Sequence, residues 1–202
     1  MNPFADITSY YDYEQFLGLT ASLVAEGKTT GPEQSPFLAD YTKLNLQRMQ
    51  RWAKTYQVPE KLGRILKAVP EQTWWVITEA WCGDSAQILP QLAAMTQASG
   101  GNIELRIILR DEHPGVMDRY LTEGTRSIPK LISVDTGGRE LFTWGPRPAT
   151  AWNMMKEWKK NPGAITAAEI KNRLHLWYAR NKGEEVTREI AFLLDPVLAG
   201  MD

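Results

Sequence analysis

The stretch Thr73-Trp74-Trp75-Val76-Ile77-Thr78-Glu79-Ala80-Trp81-Cys82-Gly83-Asp84-Ser85 changes character half-way along. Its opening, through Thr78, is short, β-branched and aromatic, the composition of a buried strand. From Cys82 the pattern becomes helical, and residues 82–97 carry Ile88, Leu92 and Met95 on one face. Pro90 lies inside this helix and is expected to kink it. Cys82 therefore falls at a strand-to-helix junction, at the start of a helix.

Outward from this junction the alternation continues. Residues 103–109 read as a second strand, and 115–123 as a helix leading to Ile128-Pro129. Residues 130–134 and 140–143 read as a hairpin closed around Thr136-Gly137-Gly138. A helix near 149–158 completes the order βαβαββα, an α/β unit with a mixed four-stranded sheet flanked by helices. On the N-terminal side, residues 11–26 place Phe16, Leu19 and Leu23 on one helical face, with Gly27 as a stop. A breaker-rich loop over 28–36 precedes a helix over 40–57, with Asp40 as its N-cap and Tyr41, Met49, Trp52 and Tyr56 on one side. Pro59 opens a short helix with Leu62, Ile65 and Leu66. Beyond Pro162-Gly163, Thr166 and Glu169 make a capping-box pair for a helix with Ile170, Leu174 and Trp177. Gly183 breaks it, and a last helix carries Val186, Ile190, Leu193 and Leu194. The expected organisation is an N-terminal helical extension over 1–72, a central unit over 73–160 and a C-terminal helical extension over 161–202. Both extensions are amphipathic and must bury a face, on the central unit or on a second subunit.

Composition narrows the function classes. The 23 basic residues are matched by 24 acidic ones, which gives no electrostatic case for nucleic acid or an anionic membrane. With one cysteine, no intramolecular disulfide forms. The N-terminus, Met1-Asn2-Pro3-Phe4-Ala5-Asp6, does not read as a signal peptide, and no apolar run reaches the roughly eighteen residues of a membrane span. A cytoplasmic setting, where a lone thiol stays reduced, is expected. His113 and His175 have no cysteine or carboxylate at a metal-ligand spacing, so neither a metal nor another cofactor is expected. Both histidines read as structural or exposed.

Several short motifs resemble the thioredoxin family. Trp81-Cys82-Gly83-Asp84-Ser85 resembles its Trp-Cys-Gly-x-Cys site, with Ser85 in place of the second cysteine. Pro90 stands eight residues after Cys82, where the family has its helix-kinking proline. His113-Pro114-Gly115 resembles an Asn-Pro-Gly that opens the next helix, and Gly124-Thr125-Arg126-Ser127-Ile128-Pro129 resembles Gly-x-Arg-x-Ile-Pro, which ends in the family's cis-proline. The whole chain is similar to a bacterial branch with Trp-Cys-Gly-Asp-Ala/Ser sites and helical extensions. The resemblance implies a thioredoxin-like fold. It also implies a site in which Cys82, Ser85 and Pro129 are catalytic and Trp81, Gly83, Asp84 and Ile128 contact substrate. Val76 stands where the family has a buried aspartate, and Asp84 where it usually has proline. Both depart from ordinary dithiol reductase chemistry.

The residues at the junction indicate what Cys82 can do. A helix N-terminus favours thiolate by roughly 0.3–1 kcal/mol when exposed, and Ser85 one turn on can donate to it. A carboxylate such as Asp84 at about 4 Å opposes this by about 1 kcal/mol in water and more at lower dielectric. The two nearly cancel, so a strongly acidic thiol is not expected. Without a resolving cysteine the expected reaction is monothiol exchange or deglutathionylation with a protein or low-molecular-weight disulfide, released by an external thiol. The alternatives are a redox-inactive protein-binding module and, less well matched, an iron–sulfur carrier of the monothiol glutaredoxin type. Against the carrier, Asp84 replaces an aromatic, and Gly137-Gly138 lies in the hairpin turn. Peroxidase chemistry lacks its Thr-x-x-Cys, since Thr78 is four residues before Cys82. Glu79, Arg110, Asp111 and Arg126 read as solvated loop charges near the active edge. Oligomeric state is not legible.

Overall fold

The computed structural model describes residues 3–161 and 163–199; Met1, Asn2, Pro162 and residues 200–202 lie outside them. Strands β1 (Gln72–Thr78), β2 (Ile103–Leu109), β3 (Lys130–Asp135) and β4 (Glu140–Trp144) form one sheet in the order β2-β1-β3-β4. β1 is parallel to β2 and antiparallel to β3, and β3 is antiparallel to β4. The sheet is thus the mixed one expected, and β1, near its centre, is apolar on both faces. Trp74 and Val76 face one core, while Trp75 and Ile77 face the other, as the two-residue period of a strand requires. Phe4 covers the second face by stacking on Trp75 at 4.7 Å. Tyr11 exchanges two backbone hydrogen bonds with Ile107, which shields part of the β2 edge.

Among the described residues eight helices surround the sheet: α1 (Tyr13–Ala25), α2 (Pro36–Thr55), α3 (Glu60–Ala68), α4 (Gly83–Ala98), α5 (Pro114–Met117), α6 (Ala149–Lys160), α7 (Ala167–Asn181) and α8 (Glu184–Ala199). Asp12 and Gln15 close a capping box on α1, and Thr166 and Glu169 do so on α7. α7 ends at Lys182 and Gly183, both with positive φ. Two expected boundaries are corrected. α2 starts at Pro36 rather than near Asp40, because the Ser35 hydroxyl accepts from the Leu38 amide and Pro36 suits the first turn. The helix expected over 115–123 is only Pro114–Met117, since the chain then turns into the Thr122–Thr125 bridge.

The added helices are not satellites of the central unit. α4 is buried along nearly its whole length, between the sheet on one side and α2 on the other. Leu174 and Tyr178 of α7, and Val186, Ile190 and Leu194 of α8, join the same core as Trp74 and Leu92. Both extensions therefore bury a face within this chain, while Phe37 on α2, Leu176 on α7 and Phe192 on α8 stay exposed. No helix among the described residues is long and apolar enough to cross a membrane.

Candidate functional site

β1 ends at Thr78, and the backbone then turns through Glu79-Ala80-Trp81 to Cys82, the N-cap of α4. This turn is clamped from the N-terminal extension. The Asn45 amide donates to the Ala80 carbonyl at 2.9 Å, and the Ala80 N–H donates to the Thr30 hydroxyl at 2.9 Å. Both backbone groups of a buried loop residue are thereby paired by side chains on or before α2.

Cys82 is buried, with 6% of its surface exposed. Its Sγ donates to the Ile128 carbonyl at 3.3 Å, and the Ile128–Pro129 bond is cis. Sequence segments 46 residues apart thus meet at the sulfur. Trp81, Cys82, Gly83, Asp84 and Ile128 line a groove of about 360 Å³. Ser85 lies behind the sulfur. The Thr78 hydroxyl donates to Ser85 Oγ at 2.6 Å, leaving the Ser85 proton free for Cys82.

The thiol is pushed up to about 11, first by burial and then by the Asp84 charge; hydrogen bonds from Ser85 and the Arg147 charge pull the other way. The local sequence presents the opposing charges but not the desolvation, which is the largest influence. Asp84 is itself buried and fully engaged. Its Oδ2 lies 2.6 Å from the Arg147 guanidinium, and its Oδ1 accepts from the Tyr178 hydroxyl at 2.9 Å. Burial raises its pKa, while Arg147 and Tyr178 hold it down. Both carboxylate oxygens of Asp84 are thus turned to partners within the chain, while the residue also lines the groove.

The groove is roofed by residues that sequence reading did not assign to a site. Phe37, Leu38 and Tyr41 come from α2, and Lys171, Leu174 and His175 from α7. A Cβ on Gly83 would stand 3.0 Å from His175 Cε1 and 3.1 Å from Tyr41 Cε1, so glycine there admits the roof. His175 is half-buried and held by side chains, bonding to Tyr41 at 2.9 Å and to Gln87 at 3.1 Å. In the sequence these residues occupy ordinary helical positions, and only the packing of α2 and α7 brings them to Cys82.

The four loop charges diverge. Glu79 is fully buried, which corrects its reading as solvated; its Oε1 accepts from the Asp111 amide at 2.9 Å, and burial raises its pKa. Arg110 pairs with Asp111 at 2.7 Å and lies over the Trp81 ring at 4.7 Å. Arg126 pairs with the exposed Asp118 at 2.7 Å. Among the described residues no group of three or more His, Cys, Asp or Glu side chains is arranged to hold a metal ion.

A sequence profile described as thioredoxin matches residues 31–159. The chain belongs to the thioredoxin family. Its matched span takes in α2 and α3 as well as the sheet, so the helix whose Asn45 clamps the Cys82 loop lies within it. Two solved structures share the architecture. One is a protein of unknown function from Pseudomonas aeruginosa, with 18% identity and a TM-score of 0.56 over 92% of this chain and 98% of that one. The other is an HIV epitope-scaffold, with 17% identity and a TM-score of 0.55 over 87% of this chain and 97% of that one. At these identities the likeness is one of fold.

Proposed function

We propose that this thioredoxin-family chain is a monothiol exchange protein that takes a protein or low-molecular-weight disulfide onto Cys82. The observation that carries this reading is the position of Sγ, 3.3 Å from the Ile128 carbonyl on the wall of a groove large enough for a small ligand or an extended peptide. As thiolate, Cys82 attacks one sulfur of the disulfide. A new S–S bond forms, the old one breaks, and its electron pair leaves on the departing thiolate. No second cysteine exists in the chain to expel the bound group. An external thiol must attack the mixed disulfide, which suits a reducing, cytoplasm-like setting.

The thiol at about 11 shapes the kinetics. At neutral pH only on the order of one molecule in ten thousand carries the thiolate, so capture is slow. The same weak acidity makes Cys82 a poor leaving group, so the mixed disulfide, once formed, is long-lived. The deep burial of the sulfur favours a second reading, a redox-inactive binding module that uses the groove without covalent chemistry.

Intact-mass spectrometry distinguishes the two. Wild type and Cys82→Ser are mixed with oxidised low-molecular-weight thiols over a range of pH. Exchange predicts an adduct on wild type alone, forming faster as pH rises and reversed by free thiol. No adduct even at alkaline pH would move the assignment to the binding module.

A further inference from the structure

A file of hydrogen bonds runs through the protein to the groove, and its chemistry can be followed donor by donor. It starts at Trp52 on α2, whose indole N–H donates to Gln87 Oε1. An indole nitrogen only donates, so the oxygen end of Gln87 is fixed toward Trp52 and its amide NH₂ faces His175. That NH₂ donates to His175 Nδ1 at 3.1 Å. Nδ1 is therefore bare, and the neutral ring carries its proton on Nε2. Burial, with help from Arg48, Lys171, Arg147 and Arg51, lowers His175 to about 3, in keeping with a neutral ring.

The Nε2–H then donates to the Tyr41 hydroxyl oxygen at 2.9 Å. The Arg48 guanidinium interacts with the same hydroxyl and lies 5.3 Å from the centre of the Tyr41 ring. The phenol oxygen is thus an acceptor on the protein side, and neither partner uses its hydrogen. Burial raises the Tyr41 pKa, so the group stays protonated, and it stands in the groove wall with Cys82 and Ile128.

We propose that Tyr41 is a catalytic donor for the exchange step, its O–H hydrogen-bonding the sulfur that departs when Cys82 attacks a bound disulfide. The inference rests on the exchange reading above. Cys82 Sγ bonds to the near sulfur, the substrate S–S bond breaks, and the electron pair collects on the far sulfur. Tyr41 stabilises that charge while keeping its own proton, and the released thiolate takes a proton from water. A hydrogen bond to developing charge in a site shielded from water is worth more than one in solution. Trp52, Gln87 and His175 are positioning residues that orient the phenol and fix which way its hydrogen points.

The test is Tyr41→Phe, which keeps the ring over Gly83 and removes only the hydroxyl. Rate constants for mixed-disulfide formation are measured by intact mass at one alkaline pH for a series of disulfides, from aryl (acidic leaving thiols) to alkyl (weakly acidic ones). The expected result is about a tenfold loss with alkyl disulfides and little loss with aryl ones, because a poor leaving group depends more on the donor. Equal slowing across the series, or no slowing, in a protein whose wild type forms adducts would overturn the role of Tyr41 and leave the exchange reading intact. A wild type that forms no adduct with any member overturns both.

Discussion

The Arg147 guanidinium sits 2.6 Å from Asp84 Oδ2, two residues beyond the cysteine, and neither side chain is more than one-fifth exposed. Arg147 lies between β4 and α6, far in sequence from the helix that carries Asp84. The pair places a cation where the Cys82 sulfur feels it, and it offsets an acid that works against the thiolate.

Removing that cation should harm both stability and site. Arg147→Met leaves the buried Asp84 carboxylate with Tyr178 alone, and breaking a buried pair from one side costs about 3 kcal/mol. Cys82, having lost a charge that lowers its pKa, should become still less acidic. Chemical denaturation and the pH dependence of Cys82 alkylation report the two effects; unchanged stability would mean that water replaces the guanidinium.

Acid should weaken the fold through His175. Its folded pKa of about 3 lies below the ordinary 6.5. In the window between them the unfolded chain binds a proton that the folded chain does not, so stability rises with pH. The stabilisation is complete above 6.5 and is lost as pH falls toward 3. Melting temperatures between pH 7 and about 4 should fall more steeply in wild type than in His175→Gln. Parallel curves would show that the histidine titrates normally.

Alkali acts through Cys82 in the opposite sense. Its folded pKa, about 11, lies above the ordinary 9.0. Between these values the folded protein keeps a proton that the unfolded chain has lost. Stability from this group is full below pH 9 and is lost as pH rises toward 11, by on the order of 2–3 kcal/mol. The comparison is with Cys82→Ala, because the buried Tyr178, also raised, contributes in the same direction in both proteins. A stability difference between the two that does not change with pH would argue for an ordinary thiol.

Gly145 guards the loop that faces the sulfur. Its φ is +107°, and a Cβ there would collide with the Pro129 carbonyl oxygen and approach Lys130 Cα to 3.6 Å. The clashing carbonyl is backbone and cannot swing aside. Gly145→Ala should cost roughly 2–4 kcal/mol. It should also push the Ile128–Pro129 segment off Cys82, which alkylation would detect as a faster-reacting thiol. A variant as stable as wild type, with an unchanged alkylation rate, would count against this placement.

The fold was largely legible because its signals are local. The β-branched and aromatic run before Cys82, the helical spacing of Ile88, Leu92 and Met95, and the capping pair Thr166 and Glu169 each report on neighbouring backbone. Boundaries slipped where a second local signal competed, as Ser35-Pro36 did with Asp40. The site was legible only in outline. Cys82 and Ile128 were both named from sequence, but Glu79 was read as a solvated charge and is fully buried.

By itself the sequence determined the strand-to-helix junction that carries the thiol and the lack of a second cysteine in the chain. The tertiary structure decided how that thiol behaves. Desolvation depends on what packs over a group, and the packing comes from Tyr41 on α2, Tyr178 and His175 on α7, and Arg147 before α6. None of these is within reach of Cys82 along the chain. A pKa follows the dielectric and charges around an atom in space, so only the assembled fold could turn a helix-start cysteine into a weakly acidic, roofed thiol.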